Sequence, residues 1–126
     1  MQDEIFERGM EMRRHLVGAE RTEQELGHAT DMDLPLQDLI TRYCFGEVWG
    51  RDGLSPKVRS LLTIAMVMAL NRQWAVKGHI LGALKNGATK TEIRELIIHA
   101  MIYCGVPAAV EGMRAAREAL REAGLE

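Results

Sequence analysis

Three features of the sequence predict an all-α fold, a single-domain bundle of about six helices. Apolar residues recur at spacings of three and four. No segment sustains the apolar–polar alternation that marks a strand. Each of the three prolines, Pro35, Pro56 and Pro107, sits where a helix can begin. The 126 residues fit one domain spanning 1–126. A chain of this length buries roughly two-thirds of its unfolded surface, enough for a core of its own.

The elements follow in order. Residues 2–17 place Ile5, Gly9, Met12 and Leu16 on one face, with Phe6 beside it, which predicts an amphipathic first helix. Residues 18–34 are polar and irregular, with room for a short helix at 21–26. Pro35 suits the first position of the second helix, whose apolar stripe is Leu36, Leu39, Ile40, Tyr43, Cys44 and Val48. The stretch "GRDGL" (50–54) is a turn, and Ser55-Pro56 reads as an N-cap with proline in the first turn. The third helix, 56–71, is apolar on all sides after Ser60, which places it in the middle of a core or in a subunit interface. The fourth, 72–86, stops at "KNG", where Gly87 can take the left-handed conformation. Thr89 and Glu92 have the spacing of a capping box for the fifth helix, with Ile93, Leu96, Ile97, Ala100, Met101 and Cys104 as its inner face. "CGVP" breaks that helix, and Pro107 opens the sixth, which carries Val110, Met113, Ala116 and Leu120.

Composition removes several classes of function. Hydrophobic residues at 47% and charged residues at 27% are ordinary for a globular domain. A net charge of −2 gives no electrostatic footprint for nucleic acid. The longest strongly apolar run, 61–70, is too short to cross a bilayer, and the acidic start is no signal peptide. Cys44 and Cys104 both lie in apolar helical patterns and read as buried free thiols of a cytoplasmic protein.

The polar residues that interrupt the apolar pattern are the candidate site. His79 has Ala75 and Ala83 one turn to either side, so its helix face is shallow. That leaves room for a small ligand beside the imidazole, and equally for close approach of another helix. Glu47 lies four residues after Tyr43, on or beside the stripe of the second helix. A buried carboxylate needs a partner or a raised pKa, whereas one at a helix end simply reaches water. Arg42, Arg59 and Arg72 stand at helix edges, where a guanidinium can clamp a carboxylate with two prongs or form an ordinary surface pair. Ser60 and Asn71 are hydrogen-bonding candidates with equally ordinary roles as cap or turn residues. The four histidines show no i,i+3 or i,i+4 pairing, and neither HExxH nor CxxC occurs, so no metal site is expected. There is no GxSxG and no glycine-rich phosphate loop after a strand.

The blocks "LITRYCFGEVWGRDGLSPKVRSLLTIAMVMALNR", "GH", "NGATKTEI" and "IYCGVPAA" make the chain resemble the 4-carboxymuconolactone decarboxylases over about residues 5–120. These belong to a superfamily with the alkyl hydroperoxidase D-like fold. The resemblance implies a homo-oligomer, a trimer or hexamer, with the pocket near a subunit boundary. It also implies a small lactone diacid as substrate and a role in protocatechuate catabolism. The disulfide reductases of the superfamily carry a CxxC before the matching histidine. Here that stretch is "NRQWAVKGH", and the glutamate of their proton relay falls on Ser60. Without two nearby thiols no disulfide can cycle.

In such a decarboxylase the substrate is its own electron sink, so no cofactor is expected. The protein has to hold one carboxylate, stabilise the developing oxyanion and deliver a proton. The roles that follow are His79 as general acid or oxyanion donor, and Glu47 orienting it, sharing its proton, or acting as the acid itself if burial raises its pKa. Arg42 or Arg59 would bind the acetate arm, with Ser60 and Tyr43 beside the substrate and Trp49 or Trp74 as an apolar wall. Two other functions remain open at this stage: a redox-linked role in the same superfamily, which needs a reactive thiol, and a non-catalytic oligomeric binding protein.

Overall fold

A computed structural model describes residues 3–126. These form seven α-helices and one π-helix with no strand, so the all-α class is correct. They divide into two compact units, one ending at Leu54 and the other running from Ser55 to Glu126. No helix among the described residues is long and apolar enough to cross a membrane.

The first unit holds α1 (Glu4–Val17), α2 (Ala19–Gly27), α3 (Leu34–Leu39) and the π-helix Ile40–Val48. Asp3 caps α1 by accepting the Phe6 amide at 2.9 Å. Gly18, at φ +99°, turns the chain directly into α2, which contains the short helix expected at 21–26 and extends it at both ends. Thr22 is buried there, its hydroxyl donating to the Gly18 carbonyl at 2.8 Å.

The second helix differs from expectation. It starts one residue before Pro35 and changes to π-winding at Ile40. The Trp49 amide bonds the Cys44 carbonyl, five residues back, at 3.0 Å. With that longer repeat, Thr41 and Gly46 share the inner face, and both are buried. The stripe derived from α-helical spacing lies outside instead: Leu36, Leu39, Tyr43, Cys44 and Val48 are all exposed. Two glycines make the inner contact possible. A Cβ on Gly9 of α1 would stand 1.9 Å from the Thr41 carbonyl oxygen, and one on Gly46 would stand 2.4 Å from that of Ile5.

The second unit holds α4 (Pro56–Ala69), α5 (Gln73–Lys85), α6 (Lys90–Cys104) and α7 (Val106–Glu122). Its helix signals are as the sequence predicts. Ser55 accepts the Val58 amide at 3.2 Å ahead of Pro56. Thr89 and Glu92 exchange both capping-box bonds, at 3.0 and 2.9 Å. Gly87 is left-handed at φ +93°; its amide reaches Leu84 and that of Ala88 reaches Ala83, a Schellman ending. Asn71, at φ +60°, makes the tight link from α4 to α5. Pro107 stands in the first turn of α7, one residue further in than expected.

The core joins Ile64 and Met68 of α4, Val76 and Ile80 of α5, Ile93 and Ile97 of α6, and alanines of α7. Gly112 lets α7 close on Met68, whose methyl would lie 2.7 Å from an added Cβ. Only one face of α4 is in this core. Its other apolar side chains, among them Leu62 and Met66, are exposed, so α4 does not lie in the middle of the core. Met101 of α6, expected inside, is likewise exposed.

Candidate functional site

The predicted site residues fall on both units. On the first, the π-helix carries Arg42, Tyr43 and Glu47 and is followed by Trp49. The winding that buries Thr41 and Gly46 turns Tyr43 and Glu47 outward, so of the two readings left open for Glu47 the one on a buried stripe is corrected: its carboxyl reaches solvent near the helix end. Trp49 is buried. Arg42 bonds the Asp38 carboxylate through Nε at 2.9 Å, pairs with Asp3 through Nη1, and lies 5.2 Å from the Phe6 ring centre. Two carboxylates therefore already occupy the guanidinium that was a candidate substrate clamp. The Phe6 amide and Arg42 together hold the Asp3 carboxyl below its ordinary range.

On the second unit, α5 places His79 half-buried, with Ala75 and Ala83 fully packed one turn away on each side. Both alanines are buried, so this face of α5 is taken up by packing, the second of the two alternatives that the sequence leaves open. Trp74, at the start of α5, is 80% exposed. Arg59 is half-buried on α4 beside Ser60. Ser60 is 1% exposed, and its Oγ accepts from Asn86 Nδ2 at 3.0 Å. That bond ties the start of α4 to the end of α5, the helix of His79. Among the described residues, no group of three or more His, Cys, Asp or Glu side chains is placed to hold a metal ion.

Both cysteines are free thiols. Cys44, expected in a core, is an exposed residue, yet partial burial of its sulfur pushes the thiol above its ordinary pKa. A raised thiol is a weak nucleophile at neutral pH.

A separate apolar groove of about 970 Å³ runs between α4 and α6. Leu62, Met66, Ile98, Met101, Ile102 and Tyr103 line it, with Glu95 and His99 among the polar groups. Neither His79 nor Glu47 is part of its walls.

One residue escaped the sequence reading. Arg13 is 3% exposed, and it hydrogen-bonds α2, α3 and the π-helix. The signal was there: Arg13 comes four residues after Gly9 and three before Leu16, on the face that α1 buries. Arginine is among the residue types least often buried, so residue type hides what the helical period marks.

Residues 35–118 match the model of the carboxymuconolactone decarboxylase family. The chain belongs to that family. The matched span includes every candidate site residue, from Arg42 to His79. The 4-carboxymuconolactone decarboxylase of Acinetobacter baylyi is 36% identical over 123 residues, covering 98% of this chain and 92% of its own. The nitrosuccinic acid decarboxylase of Metarhizium robertsii is 42% identical over 110 residues, covering 86% of this chain and 76% of its own. Family membership and these two decarboxylases place the chain among the carboxy-lyases.

Proposed function

We propose that the protein decarboxylates a γ-carboxy unsaturated lactone, converting 4-carboxymuconolactone to 3-oxoadipate enol-lactone in aromatic catabolism. The observation that carries this reading is the family match, which spans all the residues assigned to the site from the sequence. The γ-carboxylate leaves as CO₂. Its bonding pair moves through the ring double bond onto the lactone carbonyl, giving a furanolate. A proton delivered to the α-carbon completes the enol-lactone. The substrate accepts the electrons, so this flow requires no resident cofactor.

His79 delivers the proton. Histidine is the side chain that most often transfers a proton in catalysis near neutral pH. Glu47 is the second group assigned to proton handling. Arg42 or Arg59 holds the acetate arm. The departing carboxylate should not be clamped, since holding it in the ground state slows its loss. Catalysis takes place in a homo-oligomer of the cytoplasm, a trimer or hexamer. The apolar side chains exposed on α4 and α6 support an oligomer.

The 42% identity to a nitrosuccinic acid decarboxylase favours a second substrate reading. Nitrosuccinic acid and 4-carboxymuconolactone, as compounds, share a fragment. In each, one carbon bears a carboxyl group, a carboxymethyl arm and an electron-withdrawing group. Loss of CO₂ from that carbon sends the pair to the nitro group in one and to the lactone carbonyl in the other. The same acid and the same arm-binding arginine would serve both.

The test follows each compound by ultraviolet absorbance with wild-type protein and His79→Ala. We expect turnover of the lactone, and a kcat at least ~100-fold lower in a variant that still melts cooperatively. Faster turnover of nitrosuccinate would move the assignment to the second substrate. Wild-type kcat in the variant would remove His79 from the mechanism.

A further inference from the structure

We propose that Arg13, outside the span matched by the family, is a positioning residue for the reaction: it braces the π-helix that carries Tyr43 and Glu47. The inference rests on the reading above that this segment supplies groups to the site.

A single guanidinium makes the connection. Nη1 donates to Thr41 Oγ1 at 3.0 Å, and Nη2 to Glu25 Oε2 at 3.0 Å and Gln37 Oε1 at 2.5 Å. Its central carbon lies 5.7 Å from the Phe45 ring centre. The contacts therefore join α1 to α2, to α3 and to two positions of the π-helix. The side chain is 3% exposed, and its Nε is buried with no hydrogen-bond partner among the described residues.

A buried cation is a poor way to gain stability. Desolvation cancels much of the attraction, and well-packed apolar residues often serve as well or better. What a planar fork adds is direction, since it fixes several acceptors at set angles. The segment it holds is one that needs fixing. Nine residues of π-winding depart from the favoured helix, and short π-segments recur at functional sites. If the winding reverted to α, Thr41 and Gly46 would no longer share the face packed on Gly9 and Ile5, and every later residue would rotate. Arg13 bonds the Thr41 hydroxyl at the start of that winding.

The test uses Thr41, because an Arg13 variant can fail to fold. Thr41→Val keeps the shape and removes the acceptor. Thr41→Ser keeps the acceptor and removes a methyl group. If packing alone matters, Ser is the worse variant; if the hydrogen bond matters, Val is. We expect Thr41→Val to lower kcat at least tenfold with KM within threefold, and Thr41→Ser to stay near wild type. Amide exchange over residues 40–48 should quicken at least tenfold in Thr41→Val alone, with α5 unchanged. Equal kcat and equal exchange in the two variants would overturn the proposal. Glu47→Gln, assayed alongside, separates the two claims. Wild-type kcat in Glu47→Gln removes Glu47 from the mechanism, while the Val–Ser difference still decides the brace.

Discussion

Several carboxyl groups of this chain are worth more ionised than exposed surface acids usually are. The Thr89 amide and Lys57 hold Glu92 below its ordinary range. Burial opposes the same effect at Glu25, but the bonds from Arg13 and Arg21 outweigh it. Because the folded pKa values are depressed, the native state binds fewer protons than the unfolded chain just below pH 4.5, the ordinary glutamate value. Their stabilisation is present above that value and is lost as pH falls through the folded ones. Urea unfolding at pH 7, 5, 4 and 3 should show stability dropping below pH 5, and Glu92→Gln should shrink the drop. An identical pH profile in Glu92→Gln would show that its two bonds contribute nothing. Ser55 acts at the same scale: replacing it with alanine removes the acceptor for the Val58 amide and should cost about 1 kcal/mol.

Between elements, the contact of α1 with the π-helix is backbone against backbone, and glycine is what permits it. Gly9→Ala would push a methyl group to 1.9 Å from the Thr41 carbonyl oxygen, which no rotamer change relieves. We expect a loss of about 1–3 kcal/mol in thermal or urea unfolding. Gly27, near the end of α2, is the control: an added Cβ meets nothing within 4 Å, so Gly27→Ala should be neutral or stabilising. Equal effects at the two positions would mean that α1 and the π-helix can part without cost. The capping box of α6 and the glycine ending of α5 were legible because they are local. Each depends on residues within one turn, and both are in place. The π-winding was not legible. The segment 34–48 contains no proline or glycine before Gly46 that would distinguish it from an α-helix, apart from Pro35 at its start. A stripe drawn at the α-helical period therefore chose the outer face.

For the molecule as a whole, the apolar side chains left outside are the outstanding feature. Ile102 and Tyr103 are 70% and 78% exposed, and Met66 faces the same groove on α4. Exposed apolar patches of this size mark protein–protein, membrane or ligand contacts, and the proposed homo-oligomer would cover this one. Sedimentation should give a mass that is a multiple of the 14.1 kDa chain, and Ile102→Glu should lower it. An unchanged mass in that variant would take the α4–α6 face out of the assembly. The same exposure explains why α4 read as apolar on every side. Its Ile64 and Met68 face the core of their own unit, while Leu62 and Met66 do not.

What the sequence determined by itself is what depends on neighbours in the chain: the helical class, most helix ends and the family. What only the tertiary structure decided is which face of each helix turns inward. Thr41 and Gly46 are inside and Tyr43 and Glu47 outside because α1 approaches through Gly9, and a buried arginine, Arg13, bridges the same contact. Hydrophobicity marks the side chains that gain from burial, but the inner face is chosen by backbone approach and hydrogen-bond geometry between segments far apart in sequence.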